Sequence, residues 1–283
     1  ERWRYYRQLA EVRRSLPSVQ RQAVGPFLFF DHFGPLTVEP GTNHDMRPHP
    51  HIGLATVTYL FEGAILHRDS TGVVQRIEPG AINWMTAGRG IVHSERMPDD
   101  LRERAHVRHG LQLWAAVPAA HEEDAPSFSH TAAEAIPTLG HDGAAIRVLI
   151  GEAFGLRSPV PTVSPTLYLD IQLPADAPVQ LPALAAEQAL YSVDQPFEVE
   201  GQGVPAHTLA VLPAGRTLRL RADTGARLVL VGGEPLGHRF LWWNFVSSRK
   251  ERIVQAADDW AAMRFDAVPG ETEFIPLPER HPA

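Results

Sequence analysis

Short apolar runs, broken at close intervals by glycine and proline, constrain this chain more than any other feature. Alternating or β-branched segments run over Ala55 to Phe61, Gly72 to Ile77, Leu111 to Val117, Ala145 to Ile150, Thr166 to Leu173, Thr208 to Leu212 and Arg227 to Gly232. The 25 prolines and 22 glycines fall between such runs rather than in one tail, so they act as turns. Regular short strands with Gly/Pro turns predict an all-β chain of sandwich or barrel type. Helix is scarce. The spacing of Ile253, Ala256, Ala257, Trp260 and Met263 predicts one helix from Lys250 to Met263, and Ser248 with Glu251 makes an S-x-x-E capping box at its start.

The two halves resemble each other weakly. Ile77-Glu78-Pro79-Gly80-Ala81-Ile82 and Val211-Leu212-Pro213-Ala214-Gly215-Arg216 each place a Pro/Gly turn between strand runs, as a duplicated small β-barrel would. The stretch from Pro118 to Gly143 lacks periodicity and reads as an inter-domain linker with room for a short helix. The expected division is therefore an N-terminal domain over residues 1–130 and a C-terminal domain over 131–283.

Composition narrows the function classes. A net charge of −7 over 283 residues argues against nucleic acid or an anionic membrane as the main partner. No apolar run approaches the ~18 residues of a membrane span. There is no cysteine, so disulfides, thiolate metal sites and cysteine nucleophiles are all excluded. That fits a reducing cytoplasm, the expected location. The chain starts at Glu1 rather than methionine, so it carries no information on a preceding targeting segment.

Two pairs of polar residues stand out against this background. His49 and His51 lie in Arg47-Pro48-His49-Pro50-His51-Ile52-Gly53, and His93 and Glu95 in Gly90-Ile91-Val92-His93-Ser94-Glu95. On a strand, residues two apart share a face, so each pair can converge on one point. Three imidazoles and a carboxylate make a shell for one transition metal with open positions. The competing readings are loop histidines in a Pro-rich segment, and a surface Glu95 paired with Arg89 or Arg96. After His51 the odd positions run Gly53, Ala55, Val57, Tyr59, Phe61, small and then bulky, as in a barrel interior facing the metal. The second half has no His-x-His; its counterpart region around Leu181 to Tyr191 is apolar apart from Glu187 and Gln188. Among the other histidines, His32, His44, His67, His106 and His109 have no partner at ligand spacing. His44 is the strongest candidate to support the ligands from behind. Gln112, in an apolar strand, needs a polar partner of its own.

Longer motifs now carry a resemblance. The run Val24-Gly25-Pro26-Phe27-Leu28-Phe29-Phe30-Asp31-His32-Phe33-Gly34-Pro35 and the His-x-His segment through Tyr59 resemble the pirin family. Ala87-Gly88-Arg89-Gly90-Ile91-Val92-His93-Ser94-Glu95, Gly110-Leu111-Gln112-Leu113-Trp114 and Trp243-Asn244-Phe245-Val246 do so too. The resemblance implies an all-β bicupin, two β-barrel domains with a short C-terminal helix, the metal held in the first. It places the ligands at His49, His51, His93 and Glu95. Ala55 and Thr56 stand where the usual cupin carboxylate would be, which leaves that role to Glu95. The implied metal is a single divalent ion, Fe(II) first, although Mn, Ni, Co, Cu or Zn also suit such ligands.

Fold does not fix function, and the resemblance leaves two readings open. One is a dioxygenase of the quercetin 2,3-dioxygenase type, which opens a flavonol ring with O2 and releases carbon monoxide, with Glu95 as base. The other is a metal- or redox-dependent regulator of a protein partner, a transcription factor or metabolic enzyme, without turnover. A metal-dependent isomerase is a third class, for which Arg89 near His93 would be the cation. The resemblance implies a monomer.

Overall fold

The computed structural model describes residues 12–279. The chain is mostly strand, and the strand runs read from the sequence are found as Leu54–Glu62, Val74–Ile77, His106–Ala116, Ala144–Ile150, Thr166–Leu173, Leu209–Val211 and Ala226–Gly233. Two compact units emerge. The first takes in Asp31–His130 and the chain from Gly237 on; the second takes in Arg13–Phe30 and Thr131–Leu236.

The first ten strands are β1 (Val12–Leu16), β2 (Phe27–Val38), β3 (Met46–His51), β4 (Leu54–Glu62), β5 (Ile65–Asp69), β6 (Val74–Ile77), β7 (Ile82–Thr86), β8 (Ile91–Arg96), β9 (His106–Ala116) and β10 (Ser127–Thr131), and β3 to β9 lie wholly in the first unit. They form a six-stranded sheet in the order β1-β2-β9-β4-β7-β10 and a four-stranded sheet in the order β3-β8-β5-β6. The terminal place of β3 suits its sequence. Pro48 and Pro50 have no amide hydrogen to give, which an edge strand tolerates and a central strand does not.

The second unit repeats this plan. Its six-stranded sheet runs Thr138–His141, Ala144–Ile150, Thr166–Leu173, Ala226–Gly233, Glu187–Ser192, Leu209–Val211, and its four-stranded sheet runs Val179–Leu181, Leu218–Arg221, Phe197–Val199, Gln202–Val204. By position in these sheets, Val179–Leu181 is the counterpart of β3 and Leu218–Arg221 that of β8. In the first unit His49 stands opposite His93; in the second Val179 stands opposite Leu220, and Leu181 opposite Leu218. All four apolar residues are at most 2% exposed and belong to one core cluster. Each contributes about 1.5–3 kcal/mol by burial. Hydrocarbon packing fills the place that imidazoles occupy in the first unit.

The division differs from a split at residue 130 in two respects. Arg13–Phe30 belongs with the second unit, where Phe27 packs edge-on against Tyr168 (6.2 Å) and Phe30 against Tyr191 (4.7 Å). The C-terminal segment returns to the first, because its helix, Lys250–Ala261, buries Ile253, Ala256, Ala257 and Trp260 in a cluster with Ile52, Val92 and Phe245. The helix is shorter than its spacing suggests. Met263 lies beyond its end with φ of 56° and is 60% exposed. The capping box does not form either: no side chain caps the helix, and Ser248 instead donates its amide (2.9 Å) and hydroxyl (2.9 Å) to Glu122.

Glu122 lies in the stretch read as a linker. That stretch is ordered into a 3-10 turn (Ala119–His121), strand β10, a second turn (Ala133–Ala135) and the edge strand Thr138–His141. No helix among the described residues is long and apolar enough to cross a membrane.

Candidate metal centre

The His-x-His pair ends β3 and the His-x-Glu pair lies on β8, and the two strands pair antiparallel with His49 opposite His93 and His51 opposite Ile91. Gly53 lets the chain turn at once into β4. Its φ is +66°, and a Cβ there would lie 2.0 Å from the carbonyl oxygen of Val246. The chain around Phe245 therefore closes onto the end of β3: Val246 donates its amide to the Ile52 carbonyl (3.2 Å), and the Asn244 carbonyl comes within 3.0 Å of His51 Nδ1. On the far side, the C-terminal tail clamps both ligand strands. Ile275 donates to the Pro48 carbonyl (2.8 Å), Ser94 Oγ donates to Glu271 (2.7 Å), and Arg96 forms an ion pair with Glu271. Arg96 holds Glu271 below the usual carboxylate range.

The three imidazoles are buried, with one ligand nitrogen from each lying within 4.8 Å of the others. His51 Nε2 is 3.1 Å from His93 Nε2. The Nδ1 atoms of His49 and His51 face the carbonyls of Arg47 (2.9 Å) and Asn244 (3.0 Å), which can only accept, so each Nδ1 carries the hydrogen and each Nε2 a bare lone pair. Burial lowers the pKa of His51 and of His93 well below the ordinary value, and the neighbouring imidazoles add to this. Converging imidazole nitrogens buried together are a donor set suited to a divalent cation. A metal ion fits these residues.

Glu95 follows His93 by two residues and shares its strand face, but its carboxylate is not part of the group within 4.8 Å. It is not a surface residue paired with Arg96, whose partners are Glu271, Glu273 and Asp45. Burial raises its pKa, with partial relief from Arg108 and His67. The same burial lowers the pKa of Arg108, the cation nearest to it in influence.

The surroundings correct two sequence expectations and answer another. First, the even-numbered face of β4 looks toward the histidines. Thr56 stands opposite Trp114 and Thr58 opposite Gln112, and Trp114 meets the His51 ring edge-on at 5.2 Å. The bulky odd set lies on the other face, where Tyr59 packs on Phe61 (5.5 Å) and Phe61 on His109 (4.7 Å). Second, Gln112 has its partner in the protein, accepting from the Thr58 hydroxyl at 2.9 Å. Third, the histidine that touches the cluster from behind is His67 rather than His44. His67 Nδ1 is 3.4 Å from His93 Nδ1, and its Nε2 is 2.9 Å from Asp69 Oδ2. Its signal was present in the sequence: His67 and Asp69 have the same two-residue spacing as the ligand pairs. Burial pushes the Asp69 carboxyl up, but hydrogen bonds from His67 and Thr71 outweigh it and leave it below the ordinary value.

Comparison with known proteins agrees with this geometry. Residues 9–115 match the family model described as Pirin, and residues 168–266 match the Pirin C-terminal cupin domain. A pirin-like protein of Caulobacter vibrioides is 46% identical, with 95% of this chain and 94% of the relative aligned. Pirin of Mus musculus is 37% identical over 89% of this chain and 86% of its own. Among solved structures, one titled quercetin 2,3-dioxygenase from Acinetobacter baumannii superposes with a TM-score of 0.86 at 34% identity, covering 95% of this chain and 91% of that one. Two matched domain models, two units of one plan and a histidine cluster in the first make the chain a bicupin that belongs to the pirin family.

Proposed function

We propose that this protein is a mononuclear metal dioxygenase of the quercetin 2,3-dioxygenase type, with His49, His51, His93 and Glu95 holding one divalent metal, Fe(II) in the first instance. The observation that supports this reading is the buried cluster itself: three imidazole nitrogens within 4.8 Å of one another on two paired strands. Its likeness to the Acinetobacter baumannii structure supplies the reaction class. When bound, the metal would supply Lewis-acid chemistry toward a flavonol oxygen and O2.

The chain's own groups do the rest. The imidazoles of His49, His51 and His93 would hold the ion, with the rings of His49 and His51 kept in place by backbone carbonyls. Trp114, edge-on to His51, gives a flat aromatic substrate an apolar wall and excludes water. Glu95, by loosening from the metal, would take the proton of the flavonol 3-hydroxyl. The ring then opens with O2 and carbon monoxide leaves.

Anaerobic addition of quercetin to the iron-loaded protein tests substrate binding, with a shift of the flavonol absorbance as the expected result. Glu95→Gln is expected to abolish turnover. A Glu95→Gln protein that keeps its metal and turns over quercetin at the wild-type rate contradicts the base role. Negligible turnover together with metal-dependent capture of a protein partner would favour a regulatory role instead.

A further inference from the structure

His67 and Asp69 are buried polar groups for which the reading above has no use. They lie two apart on β5, so they share a face, and they are 5% and 0% exposed. One oxygen of Asp69 is committed to the following turn: Oδ1 accepts from Thr71 N (2.8 Å), Thr71 Oγ1 (2.6 Å) and Val73 N (3.3 Å). The other, Oδ2, accepts from His67 Nε2 at 2.9 Å. A carboxylate only accepts, so His67 Nε2 carries the hydrogen and its Nδ1 keeps a lone pair. That lone pair faces His93 Nδ1 at 3.4 Å, at the long end of the hydrogen-bond range. Two bare nitrogens would repel there, so this contact calls for a hydrogen on His93 Nδ1. The His93 Nε2 faces the bare His51 Nε2 at 3.1 Å, and a cation held between those two nitrogens would take the place of a hydrogen there. Stacking on Phe128, with ring centroids 4.4 Å apart and planes 21° apart, fixes the His67 ring in this pose.

We propose that Asp69 and His67 are positioning residues that set the tautomer of His93, so that the third imidazole of the cluster presents an Nε2 lone pair to the metal. The inference rests on the reading of the cluster as a metal centre. His49 and His51 have their tautomers set by backbone carbonyls, which no substitution reverses. His93 faces a side chain instead, and a side chain can be reversed. In Asp69→Asn the three donors at Oδ1 hold the amide oxygen in that place, so the amide nitrogen meets His67 Nε2 and donates to it. The polarity then inverts along the whole line: His67 Nδ1 donates, His93 Nδ1 accepts, and the hydrogen of His93 moves to Nε2, where the metal should be. His67→Phe keeps a ring against Phe128 and removes the acceptor altogether.

Two readouts decide the matter: the ring 15N shifts of His93 in the metal-free protein, and Co(II) affinity by competition with a chromophoric chelator. Circular dichroism reports the fold of each variant. The wild type is expected to show more of the Nδ1–H tautomer at His93 than the Asp69→Asn variant does. Asp69→Asn is expected to show Nε2–H and to bind Co(II) about 10–100-fold more weakly, as loss of such an outer partner does elsewhere. His67→Phe is expected to lose affinity in the same range. A folded Asp69→Asn with unchanged tautomer and affinity overturns the proposal. If Asp69→Asn does not fold, unchanged Co(II) affinity in His67→Phe overturns it. A wild type that takes up no Co(II) contradicts the metal-centre reading, while the tautomer in the metal-free protein still decides the relay.

Discussion

Glu122→Gln is expected to weaken the first unit by several kcal/mol, although Glu122 touches no ligand. Its side chain is 3% exposed and forms a 2.9 Å ion pair with Arg239, itself 8% exposed. It also accepts from Ser247 Oγ (3.0 Å), Ser248 N (2.9 Å) and Ser248 Oγ (2.9 Å), so one carboxylate fastens the strand Phe245–Ser247 and the entry to the C-terminal helix. Glutamine keeps the size and one carbonyl oxygen, so what is lost is mainly the charge opposite a buried guanidinium. Removing one partner of a buried ion pair costs about 3–5 kcal/mol, which for a chain of this length lowers Tm by about 6–20 °C. Calorimetry at pH 7 on the metal-free protein reads this directly. Glu123→Gln is the control, because Glu123 is 45% exposed in its pairs with Arg249 and Arg252 and should cost no more than about 1 kcal/mol. The Asn244 carbonyl at His51 is carried by the same segment, so metal affinity should fall with stability. A Glu122→Gln protein whose Tm falls no further than that of Glu123→Gln would refute the reasoning.

Three further outcomes follow from the packing. Leu181→Ala, at the place in the second unit that corresponds to a ligand strand in the first, should cost about 2–5 kcal/mol in urea unfolding with no change in metal content. Gly53→Ala combines a φ of +66° with a Cβ 2.0 Å from the Val246 oxygen, so it should lower both Tm and metal occupancy. Glu271→Gln removes the charge-assisted bonds to Arg96 and should cost about 1.5–3 kcal/mol at pH 7. Because the folded-state pKa of Glu271 is depressed, that contribution is complete above the ordinary carboxylate value and fades as pH falls through the folded one. The wild-type and variant unfolding curves should therefore converge on acidification.

Strands with strong β-branched or alternating character were legible in the sequence; Thr166–Leu173 has the bounds its residues suggest. The three-histidine cluster was legible because spacing on a strand fixes which side chains share a face. The element content of Pro118 to Gly143 was not, since its pieces are short edge strands and 3-10 turns whose partners lie far off in sequence. Glu122 shows why: its contacts at Ser247 and Ser248 are 125 and 126 residues away, and those contacts take Ser248 from the capping box its spacing offers. Size alternation alone does not tell the histidine-facing side of β4 from the other, because the strand is buried on both sides. Thr56 and Thr58 are small and polar, and it is their cross-strand partners Trp114 and Gln112 that reveal the site's side. His67 and Asp69 carry the same spacing as His93 and Glu95, but the sequence around them holds no second pair to mark them, and it is the fold that brings His67 against His93.

The most direct test of the account is quercetin turnover in air by protein of known metal content, with carbon monoxide trapped and counted. The account expects one divalent metal per chain, lost when His51 is replaced by alanine, and quercetin consumed with one carbon monoxide released per turnover. A protein fully loaded through these histidines that leaves quercetin intact would contradict it.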